Sequence, residues 1–166
     1  MQLLQRASLI LVNHQQELLL IQRFQNDRHY WVFPCGSVEV GELPVEAAKR
    51  EALEETSLEL NRIQKVFELE NQGRLETYFL SYVGSSKVKL GVGPEQTRQS
   101  DVNQYHLKWV RLDQLHTIPL YPEQDDGGHD FAFFWHDIGS DISSQAHTVF
   151  QHALETVRKL IDQGVV

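Results

Sequence analysis

Gly36 to Leu58 reads GSVEVGELPVEAAKREALEETSL, a short turn flanked by Gly36 and Gly41 that runs directly into a helix. Pro44 suits the first helical turn, where its fixed φ and missing N–H do no harm. Val45, Ala48, Ala52 and Leu53 recur at i, i+3 and i+4 spacing, which predicts a helix over about 44–57 with one apolar stripe. Glu51, Glu54 and Glu55 are spaced in the same way, so three carboxylates share one helix face. Unpaired like charges at these spacings destabilise a helix by roughly 0.2–0.5 kcal/mol per pair, so something positive must compensate. Lys49 and Arg50, the nearest basic residues, are expected mostly off this face. Hard divalent cations such as Mg²⁺ and Mn²⁺ favour carboxylate oxygens, and their remaining ligand positions stay open to phosphate oxygens and water. A solvated acidic face is the plain alternative, since charge runs are usually surface. The glycines weigh against it, because they let backbone approach a ligand closely just before the helix. Glu42 is placed to pair with Arg50 and lock the turn to the helix.

Outward from this segment, the chain reads as strands. Ala7 to Val12 (ASLILV) and Glu17 to Arg23 (ELLLIQR) form two, joined through the polar stretch Asn13 to Gln16, which has hairpin length. Tyr30 to Pro34 is a third, closed by Pro34-Cys35-Gly36. Three more follow at Ile63–Leu69, Leu75–Val83 and Tyr105–Leu112. Between the last two lies a polar loop, Gly84 to Asn103, of a length usually kept for function. Leu115 to Gly139 is irregular, aromatic and rich in histidine. Gln145 to Asp162 predicts a second helix, capped by Ser143 or Ser144, with Val149, Phe150, Ala153, Leu154, Val157, Leu160 and Ile161 along its apolar face. No internal repeat or linker divides the chain. The reading is a single α/β domain over residues 1–166, a mixed sheet flanked by helices.

Composition narrows the partners. In 166 residues, 15 Lys and Arg stand against 23 Asp and Glu, a formal charge of -8. That balance argues against polymeric nucleic acid, whose affinity comes largely from Lys and Arg on phosphates. No apolar run approaches the length of a membrane helix, and the N-terminus does not resemble a signal peptide. The single cysteine, Cys35, has no internal disulfide partner, so a reducing cytoplasm is expected.

The segment resembles the Nudix box, G-x5-E-x7-R-E-U-x-E-E-x-G-U, where U is bulky and aliphatic. Gly36, Glu42, Arg50, Glu51, Glu54, Glu55 and Leu58 match residue by residue. Ala52 is a small apolar version of its position, Ser57 replaces the second glycine, and Cys35 stands where many members carry another glycine. The strand order around the box is similar to the family's α/β/α sandwich. The resemblance implies hydrolysis of a diphosphate linkage in a nucleoside diphosphate joined to another group. It implies that Glu51, Glu54 and Glu55 hold Mg²⁺, with Mn²⁺ as a substitute and the Gly36 carbonyl as a further ligand. Glu51, Glu54 and Arg50 are then the catalytic candidates, with Glu51 helping to deprotonate water in the MutT-like version of the mechanism and a loop outside the box supplying that base in other members, and Glu42 is structural.

Outside the box, Arg23 is a candidate phosphate contact and Glu95, in the long loop, a candidate extra carboxylate. The His and Asp residues of 127–137 lack ligand spacing, and Gly91-Val92-Gly93 is not a dinucleotide fingerprint because Gln96 occupies the third glycine position. The expectation is a Mg²⁺-dependent, MutT-like nucleoside triphosphate pyrophosphatase, monomeric or homodimeric, acting on a small nucleotide. ADP-ribose or another nucleotide sugar is the alternative substrate, although the proline such enzymes often carry about sixteen residues beyond the box is absent from Asn71–Leu75. A nucleotide-binding module without catalysis is the alternative of another class, and the three retained glutamates speak against it. An RNA-end hydrolase would need a basic groove that the net charge disfavours.

Overall fold

The computed structural model describes residues 3–15, 17–71, 73–84, 100–111, 114, 118 and 120–121. Glu95, most of the 84–103 loop, most of 115–139 and the expected helix over 145–162 lie outside the described residues. The described elements run β1 (Leu4–Asn13), β2 (Glu17–Gln25), β3 (Arg28–Val32), β4 (Cys35–Ser37), α1 (Pro44–Thr56), β5 (Gln64–Asn71), β6 (Arg74–Gly84), β7 (Asn103–Arg111) and β8 (Leu120–Tyr121). They form one mixed sheet, in the order β5-β6-β1-β2-β3-β8, with β4 also paired to β1 and β7 to β2.

β1 is the hinge of this arrangement. One edge pairs in parallel with β6, from Leu4↔Arg74 to Val12↔Tyr82. The other edge is divided: Arg6, Ala7 and Ser8 pair with β4, and only Val12↔Leu18 joins β2. The expected β1–β2 hairpin is therefore closed only near its turn, because β4 occupies the first half of the edge that β2 would need. The tight hairpin is β2–β3, where Asn26 and Asp27 carry φ of 48° and 63° and leave Gln25 opposite Arg28. Two positive-φ residues give the backbone twist that matches paired strands, and Asn and Asp tolerate it better than other side chains. The segment expected to close at Pro34-Cys35-Gly36 instead continues as the short strand β4.

Alternation along β1 sends Ala7, Leu9 and Leu11 to one face, where they pack with Leu19, Phe79 and the helix residues Ala47, Ala48 and Ala52. Small side chains on α1 let the helix lie close to the sheet. Leu53, expected in the apolar stripe, is 48% exposed instead. The buried stripe is built from Ala48, Ala52, Thr56 and, unusually, Glu51 and Glu55, and Leu53 lies about 100° round the helix from Ala52. No described helix is long and apolar enough to cross a membrane.

Both ends of α1 follow from local chemistry. The Glu46 carboxylate accepts the Leu43 N–H at 2.8 Å, half of a capping box, since the Leu43 side chain offers no acceptor in return. At the other end Ser57 adopts φ 60°, ψ 23°, and its N–H reaches the Leu53 carbonyl at 3.0 Å. This left-handed turn is the place where helices commonly use glycine. Ser57→Gly should therefore stabilise the fold by a few tenths to about 1 kcal/mol, read as a rise in the urea midpoint at unchanged m. A fall of similar size would mean that the Ser57 side chain contributes more than its backbone strain costs.

Candidate active site

Two elements build the site: β4 and the buried side of α1. Gly36 pairs with Ala7, so it shares the sheet face that α1 covers. A Cβ built on Gly36 would overlap the Glu51 carboxylate. Glycine is required here because a charged side chain lies directly on the backbone. Glu51 and Glu55 are 8% and 4% exposed, a burial that ionised carboxylates tolerate only with donors or cations nearby. Glu55 Oε2 accepts the Cys35 backbone N–H at 2.9 Å. Glu54 is more open, with its side chain 34% exposed.

Arg50 organises the acidic groups. Its Nε and Nη2 donate to the two Glu42 oxygens at 2.9 and 3.0 Å, and Nη2 also donates to the Ser37 carbonyl at 2.9 Å. Its Nη1 reaches Glu51 Oε1 at 2.5 Å and Glu54 Oε2 at 3.4 Å. The expectation that Arg50 lies mostly off the acidic face is thus corrected. Its Cα does point elsewhere, but the long guanidinium folds back across the first turn of carboxylates. The bonds to Glu42 above all, and then to Glu51, raise the Arg50 pKa beyond its ordinary value. Glu42 is held below its ordinary 4.5 by Arg50 first and then by the Glu39 N–H, which donates at 2.9 Å.

Around this one guanidinium stand three carboxylates, those of Glu42, Glu51 and Glu54, while Glu51 and Glu55 lie against the β4 backbone at Gly36 and Cys35. Among the described residues no three His, Cys, Asp or Glu side chains close into a cage for a cation. The donor set is nevertheless of the kind Mg²⁺ uses, one or two carboxylates with water and substrate phosphates making up the rest.

Arg23 lies on another part of the sheet. Its guanidinium sits 3.8 Å from the Tyr105 ring centre and 5.6 Å from that of Tyr30, its two cross-strand neighbours. Its Nη2 donates to Asn103 at 3.1 Å, while Nε is buried with no hydrogen-bond partner among the described residues. Trp31, Val32 and Phe33, which follow Tyr30 in the chain, are all buried. The sequence reading missed the Cys35 N–H as the partner of Glu55. A backbone donor carries no residue-type signal, so no motif could have revealed it.

A family model described as NUDIX domain matches residues 3–131. An RNA pyrophosphohydrolase from Bartonella bacilliformis is 29% identical over 106 residues, covering 53% of this chain and 61% of that protein. The chain thus spans about three fifths of the length of this curated relative. Among solved structures, one reported for MutT from Aliivibrio salmonicida and Vibrio cholerae superposes with a TM-score of 0.57 at 22% identity, over 75% of this chain and 91% of that one. The NUDIX domain of Shewanella oneidensis NrtR, solved in complex with ADP ribose, superposes at 0.56 and 17% identity, over 72% and 80%. The mixed sheet with its packed helix is therefore the fold of these proteins.

Two outcomes follow from the geometry. Gly36→Ala should cost about 1–3 kcal/mol, because the added methyl must push the Glu51 carboxylate or β4 aside; wild-type stability would show that the two are not in contact. Glu42→Gln should cost about 1 kcal/mol at pH 7. Because the folded pKa of Glu42 is depressed, its contribution is complete above the ordinary 4.5 and disappears as pH falls through the folded value. Urea unfolding of both proteins should therefore converge below pH 4.5, and a pH-independent difference would refute the charge origin.

Proposed function

The chain belongs to the Nudix family, and we propose that it hydrolyses a diphosphate bond in a nucleoside diphosphate-linked small molecule, first as a MutT-like nucleoside triphosphate pyrophosphatase. The observation that supports this reading is the seating of two buried box glutamates, Glu51 on the Gly36 backbone and Glu55 on the Cys35 N–H. Evolutionary drift of a plain acidic surface gives no reason to bury them.

In this reading Glu51, Glu54 and Glu55, with the Gly36 carbonyl, hold Mg²⁺, and Mn²⁺ substitutes for it. When bound, such a cation neutralises the diphosphate and activates the attacking water. The chain's own groups do the rest. Glu55 is aimed by its bond to β4. Glu51 is the proposed acceptor of the water proton, oriented by Arg50, and Glu54 shares that guanidinium. Glu42 fixes Arg50 in turn. Phosphoryl transfer needs little covalent help from protein, so positioning and charge stabilisation are the main contributions. Arg23 is proposed as a substrate contact through its incompletely bonded guanidinium, and Glu95 on its place in the long loop alone. The proposed setting is cytoplasmic, with the protein acting as a monomer or homodimer on a small nucleotide.

A second reading, removal of phosphate from a triphosphorylated RNA end, is favoured by the Bartonella relative. The formal charge of -8 weighs against it. ADP-ribose, bound by the NrtR domain, is the remaining alternative among small substrates.

The test is a panel of nucleoside triphosphates, nucleotide sugars including ADP-ribose, and a short 5′-triphosphorylated RNA, with product phosphates identified. EDTA should abolish turnover, Mg²⁺ or Mn²⁺ should restore it, and Ca²⁺ should restore it poorly because its looser coordination misplaces the phosphates. Undiminished turnover in EDTA would remove the metal reading, and tight nucleotide binding with no cleavage would favour a binding module. Glu55→Gln keeps length and helix propensity, so the fold should persist while kcat falls by roughly 10²-fold or more. Glu46→Gln, which retains an oxygen for the Leu43 N–H, should leave the rate near wild type. Equal rates for wild type and Glu55→Gln would sink the assignment.

A further inference from the structure

The sheet face turned away from α1 carries polar side chains where a central strand pair would ordinarily be apolar. By alternation, Arg6 and Ser8 of β1, Cys35 of β4, and Glu76 and Tyr78 of β6 share this face. Glu76 is 0% exposed and Tyr78 is fully buried beside it. Tyr78 Oη donates to Glu76 Oε2 at 3.0 Å. Burial, and then the nearby Glu76 charge, push the Tyr78 hydroxyl pKa up, so it stays protonated as a donor. Arg6 stands directly opposite Glu76 in the parallel register. A completely buried carboxylate requires donors or cations nearby, and the Tyr78 hydroxyl is one such donor.

The network reaches the active site through one residue. Arg6 Nη2 donates to Cys35 Sγ at 3.0 Å, and Cys35 gives its N–H to Glu55. β4 is three residues long and, among the described strands, pairs with β1 alone, so a side-chain clamp on its first residue matters to where that N–H points. We infer that Arg6 is a positioning residue: anchored beside buried Glu76, it holds Cys35 by its sulfur and thereby aims Glu55. This inference rests on the proposed role of Glu55 in holding a divalent cation. Groups that orient metal ligands typically change affinity when removed, even though they never touch the ion.

The experiment measures Mn²⁺ binding by the loss of the free-ion electron paramagnetic resonance signal, with melting curves recorded in parallel. Arg6→Met and Cys35→Ala should each weaken Mn²⁺ binding about 10-fold or more. The double variant should be no weaker than either single one, because both break the same bond. Cys35→Ser keeps an acceptor for Arg6 and should bind close to wild type. Lower melting temperatures with unchanged Mn²⁺ affinity in Arg6→Met and Cys35→Ala, or losses that simply add in the double variant, would overturn the inference alone. Should Arg6→Met not fold, the contrast between Cys35→Ala and Cys35→Ser decides: equal affinities overturn it. No Mn²⁺ binding by wild type would overturn the metal reading, and this inference with it.

Discussion

Between Gly36 and Glu51 there is no room for one more carbon. That contact sets how close α1 comes to β4, and much else is arranged to permit it. The helix meets the sheet through Ala47, Ala48 and Ala52 rather than through larger residues, which keeps the two backbones near each other. β4 is held to β1 by three register pairs, and by hydrogen bonds from Leu9 to Pro34 and from Val38 to Gln5 on either side. A carboxylate pressed on backbone must also be neutralised, and Arg50 does so while tying Glu42 and the Ser37 carbonyl to the same point.

Arg50 therefore joins three parts of the chain: the turn before the helix, the end of β4 and the helix itself. Its bond to Glu42 is bidentate, which fixes orientation as well as distance. With one face of the guanidinium committed to structure, only Nη1 is shared with Glu51 and Glu54. One fixed positive charge thus orders three carboxylates, those of Glu42, Glu51 and Glu54.

The sequence made the helix, most strands and the glutamate triad legible because each is a local pattern. Short apolar, β-rich runs bounded by polar stretches located β1, β2, β5, β6 and β7 to within a few residues, and Pro44 with the i, i+3, i+4 series located α1. β4 escaped because three residues hold no period, and only pairing with a distant strand makes Cys35–Ser37 extended. Leu53 was misplaced because apolarity was taken as burial, whereas the close packing of α1 admits alanine. Arg50 was misjudged because spacing describes where a Cα points, not how far a long side chain returns. In the site, residue types announced Glu51, Glu54, Glu55 and Glu42. The Cys35 N–H and the Arg6–Glu76 side are products of the β1 register, which no short motif encodes. The Tyr30 and Tyr105 rings beside Arg23 come from two other strands, so no local pattern announced its surroundings.

The parallel pairing of β1 with β6 has a consequence for synthesis. α1 is complete once residue 56 has been added, yet the strand that supports its platform has an unpaired edge until residues 74–84 arrive. During that interval a nascent chain presents the long apolar edge of β1 to any neighbouring chain, a situation that favours strand-to-strand association. Parallel partners about seventy residues apart in sequence, such as Leu4 and Arg74, also raise the contact order and slow folding. The acidic site, built from β4 and α1, is thus synthesised before the strand that closes the far edge of β1.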